Sequence, residues 1–415
     1  MSTEKQTLHD DHLLIYAPVA LHRKDGVLFL EDQACNGLRR WADNFSFVTA
    51  MFPLSEEPPA PGWSPVSILG DVLERVRILP LPIAYRPGVF LKALPATLAR
   101  ISAAIDEADY LCFAIGGLFG DWGAVSAFAA HRHKRPFAVW TDRVESERIW
   151  RLRHKGGWKH RLHAYLTAPP MSQLERAVVR RADLGLFHGQ ETFDAYAPYC
   201  GGTSAVVHDI HIGKQDHIPP DQLVAKIDRS KDGPLRICYV GRADAMKGAL
   251  DWVEVLGHLA EAGVAFQATW LGDGPDRPQM IHRIAELGLQ DRVSLPGFSS
   301  DRTAILTTLR EVHILLFCHK TPESPRCLIE ALICGAPIVG YDGAFARELV
   351  ASHGGGLLVP LNDIAELATA VASLDKDRKH LATMITAAAL DGAPFDDVSV
   401  FKHRSALIKK YLPLE

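Results

Sequence analysis

Two cations and one carboxylate mark where this sequence can do chemistry. Arg242 and Lys247 lie in Gly241-Arg-Ala-Asp-Ala-Met-Lys-Gly248. The apolar run before them predicts a strand over Leu235–Gly241, and the run after them a helix over Gly248–Ala262. Two cations at the carboxyl edge of a strand, facing a helix N-terminus, suit a diphosphate. The bland alternative is a pair of solvated surface cations. Glu330 is the carboxylate. It is the sole charged residue from Cys327 to Tyr341. Leu328, Ala331 and Leu332 beside it belong in a core, so Glu330 either reaches solvent or holds a partner. An ordinary surface glutamate on an amphipathic helix is one reading. A carboxylate that accepts from ligand hydroxyls is the other.

The stretch around Glu330 carries helix signals at both ends. Ser324 suits the N-cap and Pro325 the first helical position. Gly335 ends the helix and Pro337 keeps it from resuming. Apolar runs at His313–Cys318 and Pro337–Tyr341 predict a buried strand on each side. The helix therefore starts just past the carboxyl end of a strand, where open α/β sheets bind ligands. Its first N–H groups come from Arg326 and Cys327, and such groups attract anions. Leu271-Gly-Asp-Gly-Pro275 has the look of a phosphate loop, but a tight strand-to-helix turn explains it as well.

The totals bound the answer. With 415 residues the chain exceeds one core, so two or more domains are expected. It is 47% hydrophobic and 23% charged, the balance of a globular protein, and its net charge of −4 argues against nucleic acid as main partner. The seven cysteines form no CxxC pair. They read as reduced core residues of a cytosolic protein, with neither metal nor disulfide framework. The polar N-terminus does not read as a signal peptide, and none is expected. No uninterrupted apolar run reaches the roughly 18 residues of a membrane span.

Along the chain, strands are expected at His12–Pro18, Phe45–Phe52, Val76–Leu81, Ala108–Ile115, Pro136–Asp142, Leu184–His188 and Ser204–His208. A loop with His22, Arg23, Lys24 and Gly26 follows the first of them, then a helix to about Trp41. Further helices include Val89–Ile105 and Ser172–Ala182. Alternation of this kind predicts a parallel sheet. The polar stretch Gly213–Gly233, with Pro219-Pro220, is taken as the interdomain linker. Alternation then resumes through Phe266–Gly272, Val293–Leu295 and Gly356–Val359, and Asp363 with Glu366 reads as a capping box. The boundaries are 1–213, 214–395 and a last helical segment, 396–415.

Taken together, the motifs of the second half are specific. Gly241-Arg242, Lys247-Gly248, Gly272-Asp-Gly-Pro275, Val293-Ser-Leu-Pro-Gly-Phe298, Glu323 to Glu330, Cys334-Gly-Ala-Pro337 and Gly355-Gly-Leu-Leu-Val-Pro360 follow in one order. Over about residues 234–392 the chain resembles the donor-binding half of the retaining glycosyltransferases of family four. The resemblance implies the GT-B fold: α/β, two Rossmann-like doubly wound domains with an interdomain cleft. Residues 1–213 become the acceptor domain, 214–395 the nucleotide-sugar donor domain, and 396–415 a helix returning to the first.

The resemblance also implies roles. Arg242, Lys247 and the N–H groups of Arg326 and Cys327 meet the donor diphosphate. Glu330 takes the ribose, Pro296, Gly297 and Phe298 lie by the base, and Glu323 meets the transferred sugar. Six residues separate Glu323 from Glu330, where the family usually has seven, and Pro325 stands where it usually has glycine. Where the family often ends a first-domain strand in histidine, this chain runs Trp140-Thr-Asp142. Asp142 is therefore the expected catalytic group on the sugar or acceptor side, with helix capping as its plain alternative.

The implied activity is transfer from a nucleotide diphosphate sugar, UDP- or GDP-linked, to a glycan or lipid-linked acceptor, without cofactor or metal. An epimerase of the same fold and a non-catalytic nucleotide-binding subunit are the rivals. Trp150–His163 is the most basic stretch. It suits either peripheral contact with the inner membrane face or a solvated cationic helix.

Overall fold

The computed structural model describes residues 11–59, 63–153, 157–321 and 324–412. The chain divides into two units, Met1–His211 with Asp397–Glu415, and Ile212–Asp396.

In the first unit the strands are β1 His12–Tyr16, β2 Leu21–Lys24, β3 Val27–Glu31, β4 Phe47–Ser55, β5 Trp63–Pro65, β6 Val76–Pro82, β7 Tyr110–Ala114, β8 Ala138–Thr141, β9 Leu184–His188 and β10 Thr203–Val207. Their order is β10-β9-β8-β7-β1-β4-β2-β3-β5, with β6 also paired to β4. Both faces of β1 are buried, as a central parallel strand requires. Leu13 and Ile15 join one core with Trp41 and Phe401, while Leu14 and Tyr16 join another with Ile101 and Trp122.

The sheet is not parallel throughout. The segment expected as a loop is a hairpin, with β2 antiparallel to β3 and β3 to β5. Its turn is Asp25-Gly26, with φ of 50° and 77°. Asp-Gly is the dipeptide that such a turn favours, so the signal was present in the sequence. The helix that follows is Asp32–Ala42.

The helix Pro87–Glu107 buries Thr97, Ile101, Ala104 and Ile105, one face at helical spacing. By length and composition it also passes for a membrane span, with mean hydropathy 1.4. The sequence reading missed this because Lys92 and Arg100 interrupt the apolar run.

The last helix, Asp397–Tyr411, belongs to the first unit. Phe401 meets the Trp41 ring edge-on at 5.1 Å. Arg404 is buried among Trp41, Trp140 and Phe401, 4.9–5.0 Å from each ring centre. Its Nη1 lies 3.5 Å from Asp209. At the helix start, Asp397 accepts from Asn36 at 2.9 Å and Arg40 at 3.0 Å.

The second unit is simpler. Its strands are β11 Leu235–Val240, β12 Phe266–Leu271, β13 Val293–Gly297, β14 Ile314–Phe317, β15 Ile338–Tyr341 and β16 Gly356–Val359. The order β13-β12-β11-β14-β15-β16 is doubly wound, and every pairing is parallel. The stretch taken as a linker is instead part of this unit. Pro220 opens the helix Pro220–Arg229, and Lys226 is fully buried, donating to the carbonyls of Leu309 and Cys334 at 3.0 and 2.9 Å. A Pro-Pro pair breaks a helix only from inside; at the first turn it starts one.

Replacing Arg404 with Met removes the cation from three rings and leaves Asp209 without this partner. Breaking a buried pair in this way costs roughly 3 kcal/mol. The urea midpoint of Arg404→Met is expected to fall accordingly, while Lys402→Met on the exposed face changes it little.

Candidate functional site

The second unit gathers its polar loops at the carboxyl ends of β11, β12, β13 and β14. After β11 the chain runs through Arg242, Asp244 and Lys247 to the helix Ala249–Glu261. Arg242 is 73% exposed, with its Nε 3.9 Å from the Asp244 carboxylate. Asp244 is buried, and its Oδ1 accepts from the N–H groups of Met246 (2.9 Å) and Lys247 (3.1 Å). It thereby fixes the turn that carries Lys247. Gly248 closes the turn at φ 65°, and a Cβ there would lie 2.1 Å from the Cys318 carbonyl. The β11 and β14 loops are thus in backbone contact. The Lys320 N–H also donates to the Met246 carbonyl at 2.8 Å.

Several buried polar residues that the sequence reading missed brace this edge. Tyr239 on β11 shares a 2.7 Å hydrogen bond with His319 Nε2. Burial, with the nearby Lys247 charge, holds the His319 pKa well below its usual range, so the ring is neutral. Asp251 on the helix accepts from Lys320 Nζ at 2.7 Å and from Tyr341 Oη at 2.8 Å. These partners lie 80, 69 and 90 residues apart. No local motif announces them; an Asp inside an apolar helix face was the available signal.

The helix bearing Glu330 is Arg326–Ile333. Pro325, expected as the first helical residue, is its N-cap, the place expected for Ser324. A Pro before the first turn fixes the entry angle without needing a capping hydroxyl. At the other end Gly335, at φ 60°, donates to Leu332 and Ala336 to Ala331, a Schellman close. Arg326 and Cys327 occupy the first two helical positions, at the positive end of the dipole. Glu323 lies outside the described residues.

Glu330 is 18% exposed, with Oε1 3.6 Å from Arg302 Nη1. Burial raises its pKa, Arg302 and Arg326 pull it back, and Asp216 adds to the rise. Pro296 and Gly297 close β13, and Phe298 just beyond is 76% exposed. An aromatic ring that open, at the ligand edge of a sheet, has a face available for stacking.

In the first unit Asp142 follows β8 and is exposed. It does not cap the next helix, Glu145–Leu152, whose N-cap is Val144. Arg143, next to it, donates to Glu145 at 2.8 Å. Glu145 is buried and also takes Arg148. At the end of the neighbouring β7, Asp121 is buried and accepts from the N–H groups of Gly116 and Gly123 at 3.1 and 3.0 Å. Gly116-Gly117 stands at the end of β7, beside β1, with Pro18 against Gly116.

Comparison with known proteins bears on both units. The chain superposes on the crystal structure of Anabaena HepE in complex with UDP with a TM-score of 0.66, at 17% identity, over 96% of this chain and 98% of that one. The fold is GT-B. Within this GT-B chain, residues 222–391 match the family model "Glycosyl transferases group 1". The 2-deoxystreptamine glucosyltransferase of Streptomyces kanamyceticus is 29% identical over 216 residues, 49% of this chain and 54% of that protein. The amylovoran biosynthesis glycosyltransferase AmsK of Erwinia amylovora is 29% identical over 177 residues, 41% and 43% of the two chains. The chain thus spans about half the length of the curated relatives it matches.

Asp121 carries a pH signature of its own. Burial pushes its carboxyl from 3.8 up to about 6. Between these values the folded chain keeps a proton that the unfolded chain gives up, so this group's contribution to stability falls as pH rises. Asp121→Asn lacks that term. The stability of wild type relative to the variant should drop by about 2–3 kcal/mol from pH 4 to pH 7, read from urea midpoints across that range.

Proposed function

We propose that the protein is a retaining glycosyltransferase. It moves a sugar from a nucleoside diphosphate sugar, UDP- or GDP-linked, to a glycan or lipid-linked acceptor in polysaccharide or glycoconjugate synthesis. The observation that carries this reading is the shared sheet edge of Arg242, Lys247 and the Glu330 helix, inside the stretch that matches the group 1 model. HepE, whose fold it shares, was crystallised with UDP.

In this reading Arg242, Lys247 and the first-turn N–H groups of Arg326 and Cys327 hold the diphosphate. Glu330 takes the ribose hydroxyls, and Pro296, Gly297 and Phe298 flank the base. The bond from the sugar's anomeric carbon to the leaving phosphate breaks as the acceptor oxygen bonds the same face. The acceptor's proton passes to the leaving phosphate. Negative charge grows on that phosphate, and fixed cations stabilise it most where water is scarce. Glu323 is assigned to the transferred sugar, and Asp142 to the sugar or acceptor.

A cytoplasmic protein meeting the inner membrane face suits a lipid-linked acceptor. The contact is assigned to 150–163, where Trp158 and Leu162 are exposed beside Lys159 and Arg161.

Arg242→Ala and Lys247→Ala are each expected to weaken UDP or GDP binding, since a charged hydrogen bond contributes about 1.5–3 kcal/mol. Titration calorimetry reads this directly, and unchanged affinity in both variants removes the diphosphate assignment.

Asp142→Asn separates chemistry from structure. Nothing in the fold leans on this side chain as a cap, so the melting temperature and nucleotide affinity should hold. Loss of the charge should lower transfer on the order of a hundredfold. Transfer at the wild-type rate would return Asp142 to a surface role.

A further inference from the structure

We propose that Arg302 is the second half of the ribose site, and that with Glu330 it sets a preference for ribonucleotides over their 2′-deoxy counterparts. The inference rests on the reading that Glu330 receives the donor's ribose.

Arg302 opens the helix Arg302–Glu311, which leaves the loop after β13. The N-cap Asp301 secures that start, accepting from Ala304 N–H at 3.0 Å. The guanidinium is placed by two carboxylates. Nη1 stands 3.6 Å from Glu330 Oε1, and Nε stands 4.0 Å from Asp216 Oδ2. Asp216 is itself fixed: its Oδ2 accepts from Gly213 N–H at 2.9 Å and its carbonyl from Arg310 at 2.8 Å. Arg302 Nη2 is shielded from solvent and meets no acceptor among the described residues.

A separation of 3.6 Å is too long for a hydrogen bond, so the Arg302–Glu330 pair is held by charge and its hydrogen-bonding capacity is unspent. The carboxylate can only accept and the guanidinium can only donate. A vicinal diol does both through each oxygen. One hydroxyl can donate to Glu330 while its lone pair takes Arg302, so the two side chains complement a ribose edge as a set. Nη1, which faces Glu330 at 3.6 Å, gains an acceptor at hydrogen-bond distance in place of a longer charge contact. Arg302 also works against the effect of burial on Glu330 and so favours its accepting, ionised form. A nucleotide without the 2′-hydroxyl gives neither Nη1 nor Glu330 that partner, and sites built to bind a hydroxyl reject analogues lacking it.

The test is calorimetry of the full chain with UDP, 2′-deoxyuridine diphosphate and pyrophosphate, for wild type, Arg302→Met, Arg302→Lys and Glu330→Gln. Wild type is expected to bind UDP at least tenfold more tightly than the deoxy analogue, in keeping with a lost hydrogen bond to a charged group. Arg302→Met should bring the two within about threefold by weakening UDP alone, with the lysine variant between. Deoxy analogue and pyrophosphate affinities should stay near wild type. A general structural defect would lower all three together and overturns the proposal, as does a wild-type ratio kept in Arg302→Met. Glu330→Gln isolates the underlying reading. If it weakens UDP and pyrophosphate equally, the ribose assignment itself has failed. If it weakens UDP selectively while Arg302→Met keeps the ratio, only the role of Arg302 has failed.

Discussion

Parallel pairing is the constraint from which the rest of the second unit follows. Every strand of a parallel sheet enters from one edge and leaves at the other, and each return trip needs a helix on a face. All six strand-to-helix loops therefore meet at one edge, whatever their distance in sequence. Arg242 and Glu330 are brought to the same rim by β11 and β14, which are neighbours in the sheet. The same rule sets the helix dipoles. Each helix that follows a strand points its positive end at that rim, so the edge favours anions before any side chain is counted.

The rim is crowded, and the crowding has chemical consequences. The β12 loop passes so near β11 that a Cβ on Gly272 would lie 1.9 Å from the Gly241 carbonyl. Loops this close to one another cannot carry large side chains at every position. Cations and carboxylates stand instead at the few positions with room, and buried groups behind them take up the strain of orientation. Asp244 holds the Lys247 turn and Asp251 holds Lys320, each through hydrogen bonds that leave little freedom. Exposed cations on a braced backbone lose less entropy on meeting a ligand than cations on a loose loop.

Much of this was legible in the sequence. Buried parallel strands are continuous apolar runs, so β9 and β16 were placed to the residue and most others to within one or two. Arg242, Lys247 and Glu330 stood out because charge is conspicuous beside apolar runs. What stayed hidden falls into two kinds. One is local structure whose signals have two meanings: Pro219-Pro220 reads as a break and is a helix start, while Asp25-Gly26 sat between runs too short to look like strands. The other is partnership across the fold. Tyr239 and His319, or Arg302 and Glu330, meet through strand order alone, and nothing in either segment names the other.

The second unit is an insertion in the first. The first unit gives up the chain at His211 and takes it back at Asp397 for its closing helix. Near the two ends of the inserted segment, His217 Nε2 and the Phe395 carbonyl are 2.9 Å apart. The segment is thus a cassette with its ends pinned together, and the 222–391 match falls wholly inside it. Its six-stranded sheet is complete within that segment, and the first unit's core, Phe401 and Arg404 included, is made without it. In a chain so joined, the first unit's closing helix comes into place only after the whole cassette has been made.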